Sequence, residues 1–251
     1  MMNYFILMNY FILINYFILM NYFILMKSLP YKHAMNSPDC LAIIGTGLIS
    51  FSILEYFLTS GWIIDKVIIS DTLNNKRTSF INKFQSLSDI PIEWAETSYA
   101  ITHSDMIILA TSAVTPHIHD PKLLSHNPTL LHISLRDLGE DIILNADNYV
   151  DDSSHAIKAK TSLHITQEVT GNNDFIKGNI ADLIKGRVIP NYNKPRIYSP
   201  FGMGMLDIAL ATRILRVSMR PCNLHGIFPP TLYAMTSQGQ TETRCAPTLS
   251  R

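Results

Sequence analysis

The chain has 251 residues with 20 basic and 20 acidic side chains and no net charge, so neither a basic nucleic-acid stripe nor an acidic solvating tail is present. Its 3 cysteines, Cys40, Cys222 and Cys245, are an odd number without close spacing. That excludes a disulfide framework or a zinc knuckle and fits a reducing, cytoplasmic compartment, in a length that allows one or two domains.

Residues 1–26 carry no charge and form four near-perfect copies of Asn-Tyr-Phe-Ile-Leu-Met, interrupted only by Asn3, Asn9, Asn15 and Asn21. A span of about 20 apolar residues crosses a bilayer. Lys27 and Lys32 would then leave the remainder in the cytoplasm. A cleaved signal peptide fits worse, because no positive residue precedes the apolar run. Six residues advance a helix by about 600°, so the asparagines make no stripe. Solenoid units are longer, roughly 20–50 residues. The expectation is an adventitious duplication, with membrane association the weaker alternative and a structural role weaker still. Residues 1–39 are read as repeat and linker.

After the linker, CLAIIGTGLISFSILEYFLTSG predicts a buried strand over 41–44, a tight turn at Gly45-Thr46-Gly47, and a helix over Leu48–Thr59 closed by Gly61. Glycines there let backbone approach a pyrophosphate, which sits on the N–H groups at the helix start, Leu48 and Ile49 among them. Ser50 stands where a third glycine would keep helix and strand close. Alone, this fingerprint is weak. KVIISD follows as a second strand ending at Asp71, 24 residues after Gly47. A carboxylate there accepts from the adenosine ribose and repels a 2′-phosphate, favouring NAD over NADP.

A polar helix over 75–87, a short strand at Ile92–Trp94, and strands over 106–110 and 129–134 complete the pattern. Strands alternating with helical stretches predict an α/β fold with a Rossmann-type, doubly wound parallel sheet. Thr111, Ser112 and Ser134 would then lie at carboxyl ends of strands, the usual ligand crevice. Among the nine histidines, His117 and His119 fall near that crevice without a third zinc-spaced ligand, and His132 reads as a strand histidine. No metal site is expected.

Three further stretches carry a resemblance: LRDLGEDIILNADNYVDD, the ADLIKGR helix, and SPFGMGMLDIA opening a last helix. In that order they resemble the ornithine cyclodeaminase/mu-crystallin family, and within it the 2,3-diaminopropionate biosynthesis dehydrogenases of siderophore pathways. The resemblance covers about residues 40–220, read as an NAD-binding domain with a C-terminal helix. It implies NAD-dependent oxidation of N-(2-amino-2-carboxyethyl)-L-glutamate, with hydrolysis to 2,3-diaminopropionate and 2-oxoglutarate. Asp137 aligns with the family's catalytic aspartate; the competing reading pairs it with Arg136 or makes it a helix cap near Glu140. Gly202 is implied at the cofactor, and Asp207 at the helix start is read as structural.

In that family a preceding domain clamps the substrate carboxylates and forms most of a homodimer interface. Only 39 residues precede the first strand here, and the repeat offers no lysine or arginine for a dicarboxylate. The expectation is therefore a truncated amino-acid dehydrogenase. The alternatives are an inactive NAD-binding remnant, an ornithine cyclodeaminase-like activity, or a membrane-tethered interaction protein. The tail over 221–251 lacks helical pattern and is expected to be disordered.

Overall fold

The computed structural model describes residues 38–202, together with the isolated positions Ile208 and Thr212. The hexapeptide repeat, Asp207, nearly all of the helix expected over 206–217, and the tail lie outside the described residues.

Among the described residues eight strands form one sheet: β1 (Cys40–Ile44), β2 (Lys66–Ser70), β3 (Ile92–Trp94), β4 (Met106–Leu109), β5 (Thr129–His132), β6 (Asp147–Val150), β7 (Ile176–Asn179) and β8 (Arg196–Ser199). Their order is β3-β2-β1-β4-β5-β8-β6-β7, and every pairing is parallel. The chain winds outward from β1 to β3, then crosses back to place β4 on the other side of β1. That reversal opens a crevice at the carboxyl ends of β1 and β4, where ligands bind in open α/β sheets. β8 inserts between β5 and β6, so the last strand locks the middle of the sheet.

Burial on both faces explains why the central strands are continuously apolar. Leu41, Ile43, Val67, Ile69, Met106 and Ile108 face one core. There they meet Phe51, Leu54 and Phe57 of helix α1 (Leu48–Thr59), and Phe80 and Phe84 of α2 (Asn74–Gln85). The intervening residues Ala42, Ile44, Ile68, Ile107 and Leu109 face the other core. That side is covered by α3 (Thr97–Thr102) and α4 (Glu140–Asn145), which contribute Ile101, Ile142 and Ile143. The side-chain period of two along each strand assigns residues to the two cores.

The helix expected over 75–87 begins and ends slightly earlier, at Asn74–Gln85. The strands expected over 106–110 and 129–134 stop at Leu109 and His132. Beyond them the backbone turns to build the crevice: Ile133 and Ser134 both donate their N–H groups to the Leu109 carbonyl. After Ser153–Ala156 (α5) and Ser162–Thr170 (α6), the expected ADLIKGR helix is a single turn, α7 (Ile180–Ile184). Gly186 follows it in the left-handed region at φ +66°, so the helix cannot run on through residue 187.

Ile108 is fully buried in β4, between β1 and β5. Ile108→Ala is expected to cost about 2–5 kcal/mol in urea unfolding, the range for truncating a buried aliphatic side chain. Val169→Ala, at a 66% exposed helical position, is expected to stay within about 0.5 kcal/mol.

Candidate functional site

The loop after β1 is built around a close approach of backbones. Gly45 adopts φ +93°, and a Cβ there would stand 2.6 Å from the Ala110 carbonyl oxygen, just past β4. Only glycine combines that dihedral with that proximity. The Gly45 N–H donates to the Ser70 carbonyl at 2.8 Å, tying the loop to β2 as well. Ser50, fully buried, donates its hydroxyl to the Gly45 carbonyl. That is a stronger tie than the close packing expected of a third glycine.

Gly47 behaves differently. A Cβ on it would meet nothing within 4 Å, so space lies open beside the backbone. Gly47 caps α1 without a side-chain hydrogen bond, and the first turn carries no acidic residue. The helix start carries exposed Leu48 and part-buried Ile49, and its N–H groups and positive dipole end could accommodate an anion.

Asp71, immediately after β2, is held in one orientation. The Thr46 N–H and hydroxyl both donate to its Oδ2 at 2.7 Å, and the Leu73 N–H donates to Oδ1 at 2.9 Å. Burial opposes its ionisation, but these three donors and the Lys76 charge outweigh it and hold the carboxyl below the ordinary range. The sequence pattern finds Asp71; it does not reveal that Thr46, inside the glycine turn, orients it.

At the opposite side of the crevice lies Asp137, with no solvent exposure. Thr111, past the end of β4, donates its hydroxyl to Oδ1, and Ser134, past the end of β5, donates to Oδ2. His132, the last residue of β5 and also fully buried, places Nε2 3.2 Å from Oδ2. The Ser199 hydroxyl lies 3.4 Å from His132 Nδ1. Half-exposed His117 places its Nε2 3.9 Å from Oδ1. Burial alone would raise the Asp137 pKa; the hydrogen bond and charge of His132, with the two hydroxyls, pull it below the ordinary value.

The competing readings of Asp137 do not match this geometry. Arg136 donates to the carbonyls of Ala159 and Lys160 at 2.8 and 3.2 Å. The N-cap of α4 is Gly139, with no side-chain cap bond. Backbone strain surrounds the carboxylate instead: Leu135 is left-handed at φ +67°, as are Ala159 and Lys160 at φ +55° and +54°. Such strain persists only where surrounding contacts over-determine it, often at functional sites. Here the Leu135 carbonyl accepts from the Ser162 N–H at 2.8 Å.

The segment 117–119 is laced to 137–139. His117 and Ile118 both donate their N–H to the Asp137 carbonyl at 3.0 Å, and Gly139 donates to Ile118 at 2.8 Å. The His119 ring lies where a Gly139 Cβ would be, 2.3 Å from its Nδ1. His132, expected as a strand histidine, does end a strand but is bound to Asp137. Its neighbours Leu131 and Ile133 give no hint of that in sequence. Ser112 is exposed beside Thr111. Gly202 sits past β8 at φ +99° and donates its N–H to Asp151 at 2.5 Å. No metal-ligating group of three side chains occurs among the described residues, and none of their helices is long and apolar enough to cross a membrane.

No family model matches the sequence, and no curated protein matches it. Solved structures do. The chain is similar to Δ1-pyrroline-2-carboxylate reductase of Thermococcus litoralis, solved with NADH and L-proline, at 17% identity and TM-score 0.65, over 75% of this chain and 62% of that one. It is also similar to an archaeal alanine dehydrogenase dimer with bound NAD, at 16% identity and TM-score 0.65, over 78% and 61%. A probable ornithine cyclodeaminase from Bordetella pertussis Tohama I matches at 18% identity and TM-score 0.61, over 74% and 62%. This likeness establishes the fold, a Rossmann-type doubly wound α/β sheet. The matched region spans about three fifths of the length of those chains.

Asp71 and Asp137 both have pKa values depressed on folding. Each contributes stability that is present above the unfolded value of about 3.9 and lost as pH falls through the folded value. Urea unfolding followed from pH 7 downward is expected to show stability falling below about pH 4. Asp71→Asn is expected to be less stable than wild type at pH 7, with the gap narrowing as pH falls.

Proposed function

We propose that the chain is the dinucleotide-binding part of an NAD-dependent oxidoreductase acting at the CH–NH bond of an amino acid, of the ornithine cyclodeaminase/mu-crystallin kind. One observation carries this reading: past the carboxyl ends of adjoining strands stand an open glycine turn with a ribose-type carboxylate, after β1 and β2, and a buried, hydroxyl-held carboxylate, after β4 and β5. The structural neighbours solved with NAD or NADH support the same assignment.

The residues fit a dinucleotide. The space beside Gly47 and the uncapped start of α1 suit a pyrophosphate, with Gly45, Thr46, Leu48 and Ile49 forming its backbone cradle. Asp71, oriented by Thr46, offers an ionised acceptor for the ribose hydroxyls and repels a 2′-phosphate. Thr111, Ser112, Ser134 and Gly202 border the reacting end. Bound NAD supplies a hydride acceptor. The chain's part there is electrostatic: Asp137, kept ionised by its donors, is a fixed negative charge beside a substrate nitrogen that turns cationic as the C–N bond gains double-bond character.

The finer reading names N-(2-amino-2-carboxyethyl)-L-glutamate as substrate, cleaved to 2,3-diaminopropionate and 2-oxoglutarate in siderophore-type biosynthesis. A homodimer is proposed with it, as in the family the sequence resembles. The test is NADH formation by the purified chain with NAD and that substrate, run beside L-proline, L-alanine and L-ornithine. Turnover of one amino acid that drops about 100-fold or more in Asp137→Asn is the expected result, in line with losing one preorganised charge. NADH binding without turnover of any of them would leave a cofactor module and refute the enzymatic reading.

A further inference from the structure

The register of the first two strands brings Thr46 and Asp71 together. Ile44 pairs with Ser70 at the ends of β1 and β2, so the residues just beyond them meet. The Gly45 N–H donates to the Ser70 carbonyl at 2.8 Å, and on its other side Gly45 is pressed against the Ala110 backbone. The backbone that carries buried Thr46 is therefore held from two strands. What remains adjustable in Thr46 is the side-chain torsion that aims its hydroxyl.

Asp71 is largely occupied by these neighbours. A carboxylate offers about four lone-pair positions, two on each oxygen. Both positions of Oδ2 are taken by one residue: the Thr46 N–H and the Thr46 hydroxyl each donate to it at 2.7 Å. The Leu73 N–H takes one position of Oδ1 at 2.9 Å. Among the described residues, that leaves one position, on Oδ1. Two of the three donors are backbone N–H groups, which stay in place as long as the turn does. The third is a hydroxyl, and it stands where a second ribose hydroxyl would otherwise donate.

We propose that Thr46 is a specificity-determining residue of the dinucleotide site: by holding Oδ2 it makes Asp71 read a single ribose hydroxyl, the 2′, through Oδ1. The proposal rests on the dinucleotide reading above and narrows it from the ribose diol to one of its two groups. In this fold the acid after the second strand bonds the 2′-hydroxyl, which is also where NADP carries its phosphate. A carboxylate committed to that hydroxyl places its discrimination at the atom that distinguishes the two cofactors. The 3′-hydroxyl gains no acceptor on Asp71 while the Thr46 hydroxyl is there.

The test is calorimetric titration of the full chain with NADH and with two NADH analogues, one lacking the 2′-hydroxyl of the adenosine ribose and one lacking the 3′-hydroxyl. In wild type, loss of the 2′-hydroxyl is expected to weaken binding about tenfold or more, as for a hydrogen bond to a charged group, and loss of the 3′-hydroxyl less than about twofold. Thr46→Val keeps the branched shape and the N–H donor but releases the second position of Oδ2. There both deletions are expected to cost about tenfold, and NADH itself to bind about fivefold more tightly than to wild type. Thr46→Ser returns a hydroxyl and is expected to return the wild-type pattern. Equal losses for the two analogues in wild type, no loss with either, or a larger loss without the 3′-hydroxyl overturns the proposal. A folded Thr46→Val that keeps the wild-type pattern overturns it as well. The wild-type comparison decides the matter even where Thr46→Val does not fold. A wild-type chain that binds no NADH refutes the proposed function and the role of Thr46 with it, whereas NADH binding with equal losses refutes the role of Thr46 alone.

Discussion

An anion cannot be buried alone, and Asp137 is buried completely. Removing an ionised carboxylate from water costs several kcal/mol unless donors replace the solvent. The fold provides them from separate places: a hydroxyl past the end of β4 and a hydroxyl past the end of β5 donate to it, while the His132 imidazole stands 3.2 Å from it and accepts from the Asp137 N–H. Because those donors belong to different strands, the carboxylate charge is stabilised only when the sheet is assembled in this order. The strained Leu135 and the Arg136 clasp on 159–160 keep the loop that carries Asp137 in place.

The same strand ends connect the two halves of the crevice. Gly45 touches the backbone at Ala110, and the next residue, Thr111, holds Asp137. On the other side Thr46, next to Gly45, holds Asp71. Three consecutive residues of the turn thus have distinct tasks: Gly45 permits the approach of β1 to β4, Thr46 orients an acceptor, and Gly47 leaves room. A hydroxyl next to the first glycine presets one carboxylate, and a hydroxyl next to Ala110 presets the other. Polar side chains already locked by neighbours lose little freedom on binding, which is the physical content of a preorganised site.

Much of the first half was legible in the sequence because its signals are local. The glycine turn, the helix Leu48–Thr59 and the acid after KVIIS follow from short-range pattern, and the structure reproduces each. The strands DNYV, IKGN and RIYS offer no such pattern. Two of them are buried throughout yet contain Asp147, Asn148 and Arg196, whose polarity in sequence argues against a core strand. Their burial is tolerated through long-range bonds: Asn148 donates to the Phe175 carbonyl, and Arg196 to Thr129 and the Asn127 carbonyl. The site divides in the same way. Asp71 and Asp137 could be picked out individually. Thr46 and His117 are legible as residues near the crevice, but their contacts with the two carboxylates, and that of His132, are not, because each exists only after β1, β2, β4 and β5 align.

The account stands on the crevice being a preformed dinucleotide site with a ribose-reading carboxylate. Calorimetric titration of the purified chain with NADH and then NADPH tests that directly. One NADH per chain, bound at least about tenfold more tightly than NADPH, is the predicted result, since a 2′-phosphate would meet the Asp71 charge. Absence of binding heat from a folded chain, or tighter binding of NADPH, would contradict it.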